Sequence, residues 1–195
     1  MIYHPEKKEL IIDKNINELD KFVIDFVRTL KNYVIVSGYV SIITGRSRAT
    51  EDVDLLVPKM SLIEFRNIWN IVLDQGFECL NTTKVDEAYK FLEEHAIRFA
   101  RKDKPIPNME FKIMKNDIDK YSFDNKITVK IKNHKLFISP FEMQIAFKLF
   151  LGSQKDIEDA KHIYILFEQN INKDELAKLC MQLKVSKKLD ELIWK

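Results

Sequence analysis

Glycine is scarce in this chain, cysteine is scarcer, and no stretch of eighteen consecutive apolar residues occurs anywhere in its 195 positions. Four glycines and no Gly/Ser-rich tract leave no flexible linker, and the absence of internal repeats argues against a solenoid. Cys79 and Cys180 lie far apart without a Cys-x-x-Cys spacing or a histidine-rich neighbourhood. Neither a zinc site nor a disulfide framework is expected, and a cytoplasmic location suits such a chain. The opening MIYHPEKKEL lacks the apolar core of a signal peptide, so no membrane partner is expected either. Charge is balanced, with 32 basic side chains against 30 acidic ones, which removes any global field that would steer a polyanion. The phosphate-binding P-loop, the Gly-x-Ser-x-Gly elbow and the His-Glu-x-x-His helix are all missing, and the four histidines have no partner at metal-ligand spacing.

What is present is a chain with 46% apolar content, enough for a substantial core in one compact domain or in one domain with a helical annex. Residues 98 to 135 carry eleven Lys/Arg against five acids, a local bias that reads either as a solvated lysine-rich face or as a groove for nucleic acid.

Strand and helix patterns alternate through the first two thirds of the chain, and the last third is helical in pattern throughout. A helix is expected over 17 to 30, a buried strand over 33 to 37, a short helix after Gly38, and a strand Asp52 to Val57 closed by Pro58. Ser61 with Glu64, Ser139 with Glu142 and Ser153 with Asp156 match capping boxes. Further helices are expected over 84 to 94, 140 to 151, 154 to 169, 173 to 182 and 186 to 194. AIRFAR and MEFKI read as strands, and KITVKIK and KLFIS read as a hairpin turning at Asn133 and His134. The fold class that follows is α+β, a small mixed sheet flanked by helices, with a sheet domain over 1–138 and a helical subdomain over 139–195.

Within this frame Asp52-Val53-Asp54-Leu55 carries the most chemistry. Side chains two apart on a strand share a face, so Asp52 and Asp54 point together and Val53 and Leu55 point away. Two such carboxylates repel unless a cation lies between them, and a divalent metal of the Mg²⁺ or Mn²⁺ type supplies that cation. The alternative is a pair of acids in solvent at a strand end. Gly38 follows the apolar run YVIVS and opens a short helix, where a missing side chain lets phosphate approach the backbone amides. Arg46 and Arg48 lie close enough in sequence to reach such a phosphate. Lys148 stands among apolar neighbours on its helix, which suits a lysine that reaches the phosphates or one that snorkels to water. The Lys-Asp-Ile-Glu-Asp stretch from Lys155 is explained by helix stability, with Lys155 and Asp159 as a helical pair.

Twelve residues separate Tyr39 from Asp52. The arrangement resembles the signature of the nucleotidyltransferase superfamily, hydrophobic-Gly-[Gly/Ser] followed by Asp-hydrophobic-[Asp/Glu]-hydrophobic. Arg48-Ala49-Thr50-Glu51-Asp52-Val53-Asp54 is similar to the Arg-x-Thr-x-Asp-hydrophobic-Asp block of its AbiEii-type branch. The stretches Ile138 to Glu142, Lys148-Leu149 and Lys155 to Asp159 are similar to that branch's downstream block, so the resemblance spans residues 34 to about 167.

The resemblance implies a metal-dependent nucleotidyl transfer from a nucleoside triphosphate to an acceptor that is RNA, protein or a small molecule. Asp52 and Asp54 would bind the metal, Glu110 would be the third acid, and Ser37, Gly38, Tyr39, Ser41, Arg48 and Lys148 would surround the nucleotide. A protein antitoxin is the implied macromolecular partner. One departure stands out, because Tyr39 occupies a position where the family has Gly or Ser. Either Ser37 or Ser41 compensates, or the fold persists as an inactive nucleotide-binding or toxin-antitoxin regulatory module. Tyr39 itself either stacks on a base or packs against the sheet.

Overall fold

The computed structural model describes residues 1–194, so Lys195, the end of the expected helical subdomain, lies outside the described residues. The chain forms β1 (Ile2–His4), β2 (Glu9–Ile12), α1 (Glu18–Val27), β3 (Val34–Val36), α2 (Gly38–Ile43), β4 (Asp52–Val57), α3 (Leu62–Asp74), β5 (Phe77–Cys79) and α4 (Val85–Glu94). There follow β6 (Ile97–Arg101), β7 (Lys104–Ile113), α5 (Asp117–Asp124), β8 (Ile127–Ile131), β9 (His134–Ile138), α6 (Phe141–Leu151), α7 (Gln154–Phe167), α8 (Lys173–Gln182) and α9 (Ser186–Leu192). The strands make one mixed sheet of nine in the order β1-β2-β8-β9-β3-β4-β7-β6-β5. It is flanked by helices, as an α+β reading requires, but it is larger than expected, because β1, β2 and β5 carry too few residues to show a period.

One face of β4, β7 and β6 is apolar. Val53, Leu55, Met109, Phe111, Ile97 and Phe99 are all fully buried there. Phe26 of α1 meets Phe99 and Phe111, while Phe65 and Trp69 of α3 meet Phe111 and Phe99, with ring centroids 5.6 to 6.5 Å apart. Burial at this level stabilises by roughly 1.5–3 kcal/mol per side chain. Six such side chains together outweigh the cost of two half-buried acids on the opposite face, so the apolar half of β4 sets its orientation. Helices α6 and α7 dock elsewhere, with Phe141 stacked on Phe167 at 3.9 Å and edge-on to Tyr3 of β1 at 5.0 Å.

Of the three expected capping boxes one forms in full and one by half. Ser61 and Glu64 form a reciprocal box at α3, and Ser153 accepts from the Asp156 amide at α7. The Ser139–Glu142 box does not form. Pro140 takes the cap position of α6, the Ser139 hydroxyl lies against that of Ser122 at 3.2 Å, and the Glu142 carboxylate accepts from the Asn172 amide at 2.9 Å. The β8–β9 hairpin turns at Lys132 and Asn133, and the left-handed residue is Lys132 with φ 49° rather than Asn133. No strand follows residue 138 among the described residues, and no helix is long and apolar enough to cross a membrane.

Candidate active site

Strand β3 ends beside the start of β4, with Val36 opposite Asp54. The chain then turns sharply through Ser37, whose φ of 62° and ψ of −133° are costly for a residue with a side chain. That turn starts α2 at Gly38, next to the acidic end of β4. Asp52 and Asp54 are half-buried and Val53 and Leu55 fully buried, the alternation expected of two acids sharing one face.

The neighbouring strand completes the face. β7 runs parallel to β4 with Glu110 opposite Asp54, and β6 places Arg98 opposite Glu110. Lys112 Nζ lies 2.6 Å from Asp54 Oδ1 and 2.7 Å from Glu110 Oε2. Arg98 donates to Glu110 Oε1 from Nη2 at 2.5 Å and from Nε at 3.0 Å. Burial and the charges of Glu110 and Asp52 push Asp54 above the usual carboxylate range, against the pull of Lys112. Burial also acts on Lys112, but the Asp54 and Glu110 carboxylates override it and raise that ammonium. In Glu110, burial is outweighed by the bonds from Lys112 and Arg98, which hold it low. Burial is the main cause of the rise in Asp54, whereas Lys112 is raised by its two carboxylate neighbours against burial, so the acids outweigh the desolvation of that ammonium. Asp52 has no cationic partner among the described residues, and Thr50 Oγ1 lies 3.3 Å from its Oδ1.

Arg48 covers the glycine. A methyl group added at Gly38 would meet Arg48 Nη2 at 1.9 Å, so the guanidinium rests directly on the turn. Its side chain is 10% exposed, and its Nε and Nη1 are buried without a hydrogen-bond partner. Its Nε lies 3.7 Å from the buried Asp159 carboxylate, an ion pair without a hydrogen bond, so the guanidinium keeps donors that an anion could take. A cavity of about 350 Å³ opens on the other side of Asp54 and Lys112, bounded by Ser37, Ile118, Met143 and Phe147. A trough of about 910 Å³ leads from Arg48 and Thr50 to Arg101, Lys102 and Lys104.

Three expected nucleotide contacts stand differently. The Tyr39 ring is fully buried and its hydroxyl donates to Asp20 at 2.9 Å, so it packs in the core and is not free to stack on a base. Ser41 is fully buried, with its hydroxyl unpartnered and sealed from the cavities. Lys148 is 2% exposed and holds Asp156 at 2.7 Å and Asp159 at 3.0 Å, so it neither snorkels to water nor reaches Gly38. Asp159 turns inward to Arg46 and Lys148 rather than along the helix to Lys155, because a buried cation outcompetes an exposed one.

Lys112 and Arg98 were missed as site residues. Lys112 shares the face of Glu110 by its spacing of two, but only the register of three strands brings either cation to the acids. The basic bias over 98–135 is partly spent in the same way, since Arg98, Arg101, Lys112, Lys130 and Lys132 are all in ion pairs.

The fold is that of nucleotidyltransferase-like proteins. Over 88% of the chain it is similar to an antigenic nucleotidyltransferase-like protein from Paracoccidioides brasiliensis, at 18% identity, covering 90% of that chain with a TM-score of 0.52. It is also similar to the antibiotic-resistance factor ANT(2'')-Ia, at 11% identity over 88% of this chain and 94% of that one, with a TM-score of 0.54. No protein-family model and no curated protein matches the sequence.

Proposed function

We propose that this chain is a metal-dependent nucleotidyltransferase of the AbiEii-type branch, which moves a nucleoside monophosphate from a nucleoside triphosphate to an acceptor hydroxyl. The observation that carries the reading is the placement of Asp52 and Asp54 on one face beside the Ser37–Gly38 turn, with the Arg48 guanidinium over that turn and its Nε and Nη1 without a hydrogen bond. Hard carboxylate oxygens with a local excess of negative charge fit a divalent ion such as Mg²⁺ or Mn²⁺, and Asp52 and Asp54 would hold it. When bound, such an ion polarises phosphate oxygens and neutralises charge that builds up on them.

The protein's own groups do the rest. The Gly38 amide and Arg48 seat the phosphates, and the helical part from residue 139 onward supplies Met143 and Phe147 to the apolar wall of the neighbouring cavity. The acceptor oxygen bonds to the α-phosphorus, the bond to the β-phosphate breaks, pyrophosphate leaves, and the hydroxyl proton passes to water. No protein nucleophile is needed, and among the described residues no Ser or Cys is paired to a base at this face.

One observation favours a second reading, a nucleotide-binding or toxin-antitoxin regulatory module without turnover. Arg48 lies in front of Gly38, and a chain that keeps it there would hold a triphosphate away from the turn amide, bound but out of line for transfer. A screen of the four labelled nucleoside triphosphates with Mg²⁺ or Mn²⁺ against RNA, protein and small hydroxyl compounds separates the two. Label transfer with pyrophosphate release supports the enzyme, binding without release supports the module, and the absence of metal-dependent binding removes both.

A further inference from the structure

We infer that Lys112 is a built-in cation of this face, so that the site takes one divalent ion at Asp52 and Asp54, and Glu110 is a positioning residue that holds Lys112. The inference rests on the nucleotidyl-transfer reading and specifies the metal count of that same site.

Both oxygens of Glu110 are in use. Oε2 contacts Lys112 at 2.7 Å, and Oε1 takes both bonds from Arg98. A carboxylate that takes three contacts from two cations has at most one lone pair left for a metal and little basicity toward an acceptor hydroxyl. The ammonium of Lys112 stands between Asp54 and Glu110, where a second metal shared by these two acids would have to sit. A dication there would contact an ammonium of the same sign across a half-buried face, where like charges are poorly screened.

Charge bookkeeping points the same way. Asp52, Asp54 and Glu110 against Lys112 and Arg98 leave one net negative charge, and it falls at Asp52, the only one of the three acids without a cationic partner among the described residues. Accordingly, no group of three or more His, Cys, Asp or Glu among the described residues converges as a metal cage. Lys112 is the shorter and more compact of the two cations, a point charge suited to stand in for an ion, whereas Arg98 reaches Glu110 from the edge with its planar fork.

The test counts Mn²⁺ ions per chain by electron paramagnetic resonance at saturating Mn²⁺, with melting temperature read in parallel. Wild type is expected to bind one ion, Lys112→Arg one, and Lys112→Met two. Lys112→Met should also melt lower than wild type without metal and recover more on adding Mn²⁺, because the ion restores the missing counter-charge. Two ions in wild type overturn the inference while leaving the transferase reading intact, and so does a single ion in a folded Lys112→Met. If Lys112→Met does not fold, the wild-type count alone decides. No bound Mn²⁺ in wild type, or binding undiminished in Asp52→Asn, overturns the transferase reading and this inference with it.

Discussion

Gly38→Ala separates the phosphate-seat role of this glycine from a packing role, because the two make opposite demands on affinity and stability. Gly38 is absent from the residues with positive φ, so its backbone accepts alanine without strain. Helix propensity alone would favour alanine by up to about 1 kcal/mol. Against this, the added methyl would sit 1.9 Å from Arg48 Nη2 and 3.2 Å from its Cζ. The guanidinium must withdraw by about 1.5 Å to reach ordinary contact. It gives up little by doing so, since Arg48 makes no hydrogen bond from Nε or Nη1 and its approach to Asp159 is already 3.7 Å. Stability should therefore change by no more than about 1 kcal/mol, or roughly 2–4 °C in melting temperature for a chain of this size.

Nucleotide affinity should respond far more. A methyl group in front of the amide displaces the phosphate from one or more charge-assisted hydrogen bonds, each worth roughly 1.5–3 kcal/mol. That corresponds to a roughly 10- to 150-fold weaker dissociation constant. Circular-dichroism melting and titration calorimetry with each Mg²⁺-nucleoside triphosphate measure the two quantities on the same preparation. Unchanged affinity in Gly38→Ala refutes the seat, and a melting temperature lower by more than about 10 °C identifies Gly38 as a packing residue instead.

Asp52→Asn and Asp54→Asn should abolish metal-dependent transfer while the metal-free protein melts level with wild type or higher, because the neutral amides remove the buried charge and the acid–acid repulsion that together raise Asp54. A clear loss of stability with unchanged nucleotide chemistry ends the transferase reading. Tyr39→Phe should cost roughly 1.5–3 kcal/mol by stripping the buried Asp20 of its 2.9 Å bond, and should leave nucleotide affinity alone. Weaker nucleotide binding at constant stability would return Tyr39 to the pocket. In Asp156, burial is outweighed by the bonds from Lys148 and Ser153, so its carboxyl is held below 3.8. A carboxyl depressed on folding contributes stability that is present above that ordinary value and lost as pH falls through the folded pKa. Asp156→Asn should therefore flatten the acid limb of melting temperature against pH, and an equally steep limb in the variant refutes the role.

Features legible in the sequence were those governed by neighbours along the chain. Strand β4 begins and ends as read, because a period of two over Asp52 to Val57 and the stop at Pro58 are local signals. The caps at Ser61 and Ser153 are local too. Ser139 failed because its hydroxyl found Ser122 and Glu142 found the Asn172 amide, partners from other elements. Glu110 was named from the resemblance together with the strand pattern of MEFKI, but its position opposite Asp54 is set by the register of two strands more than fifty residues apart. That register is fixed by Leu55 and Phe111 on the buried face, which no local pattern links. β1 and β2 went unread for the same reason, since β2 gains its place by parallel pairing with β8 across the chain.

Tyr39 shows how a departure from a motif can leave the motif's geometry intact. A large side chain after the glycine would block the phosphate seat if it pointed toward Arg48. It points to the core instead, where Asp20 receives its hydroxyl, and Lys14 Nζ lies 2.9 Å from the same carboxylate. Asp20 also caps α1 by accepting from the Asn17 amide at 3.2 Å. The tyrosine therefore ties the start of α2 to the start of α1, which restrains the Ser37–Gly38 turn from behind while leaving its front to backbone amides and Arg48. A buried phenol bonded to a paired carboxylate is rigid, and rigidity behind a strained turn is what keeps that turn in an otherwise unfavourable conformation. On the transferase reading the substitution bears on how firmly the seat is held, and access to it falls to Arg48, whose guanidinium lies nearer the glycine's open side than Thr50 Oγ1 at 3.8 Å.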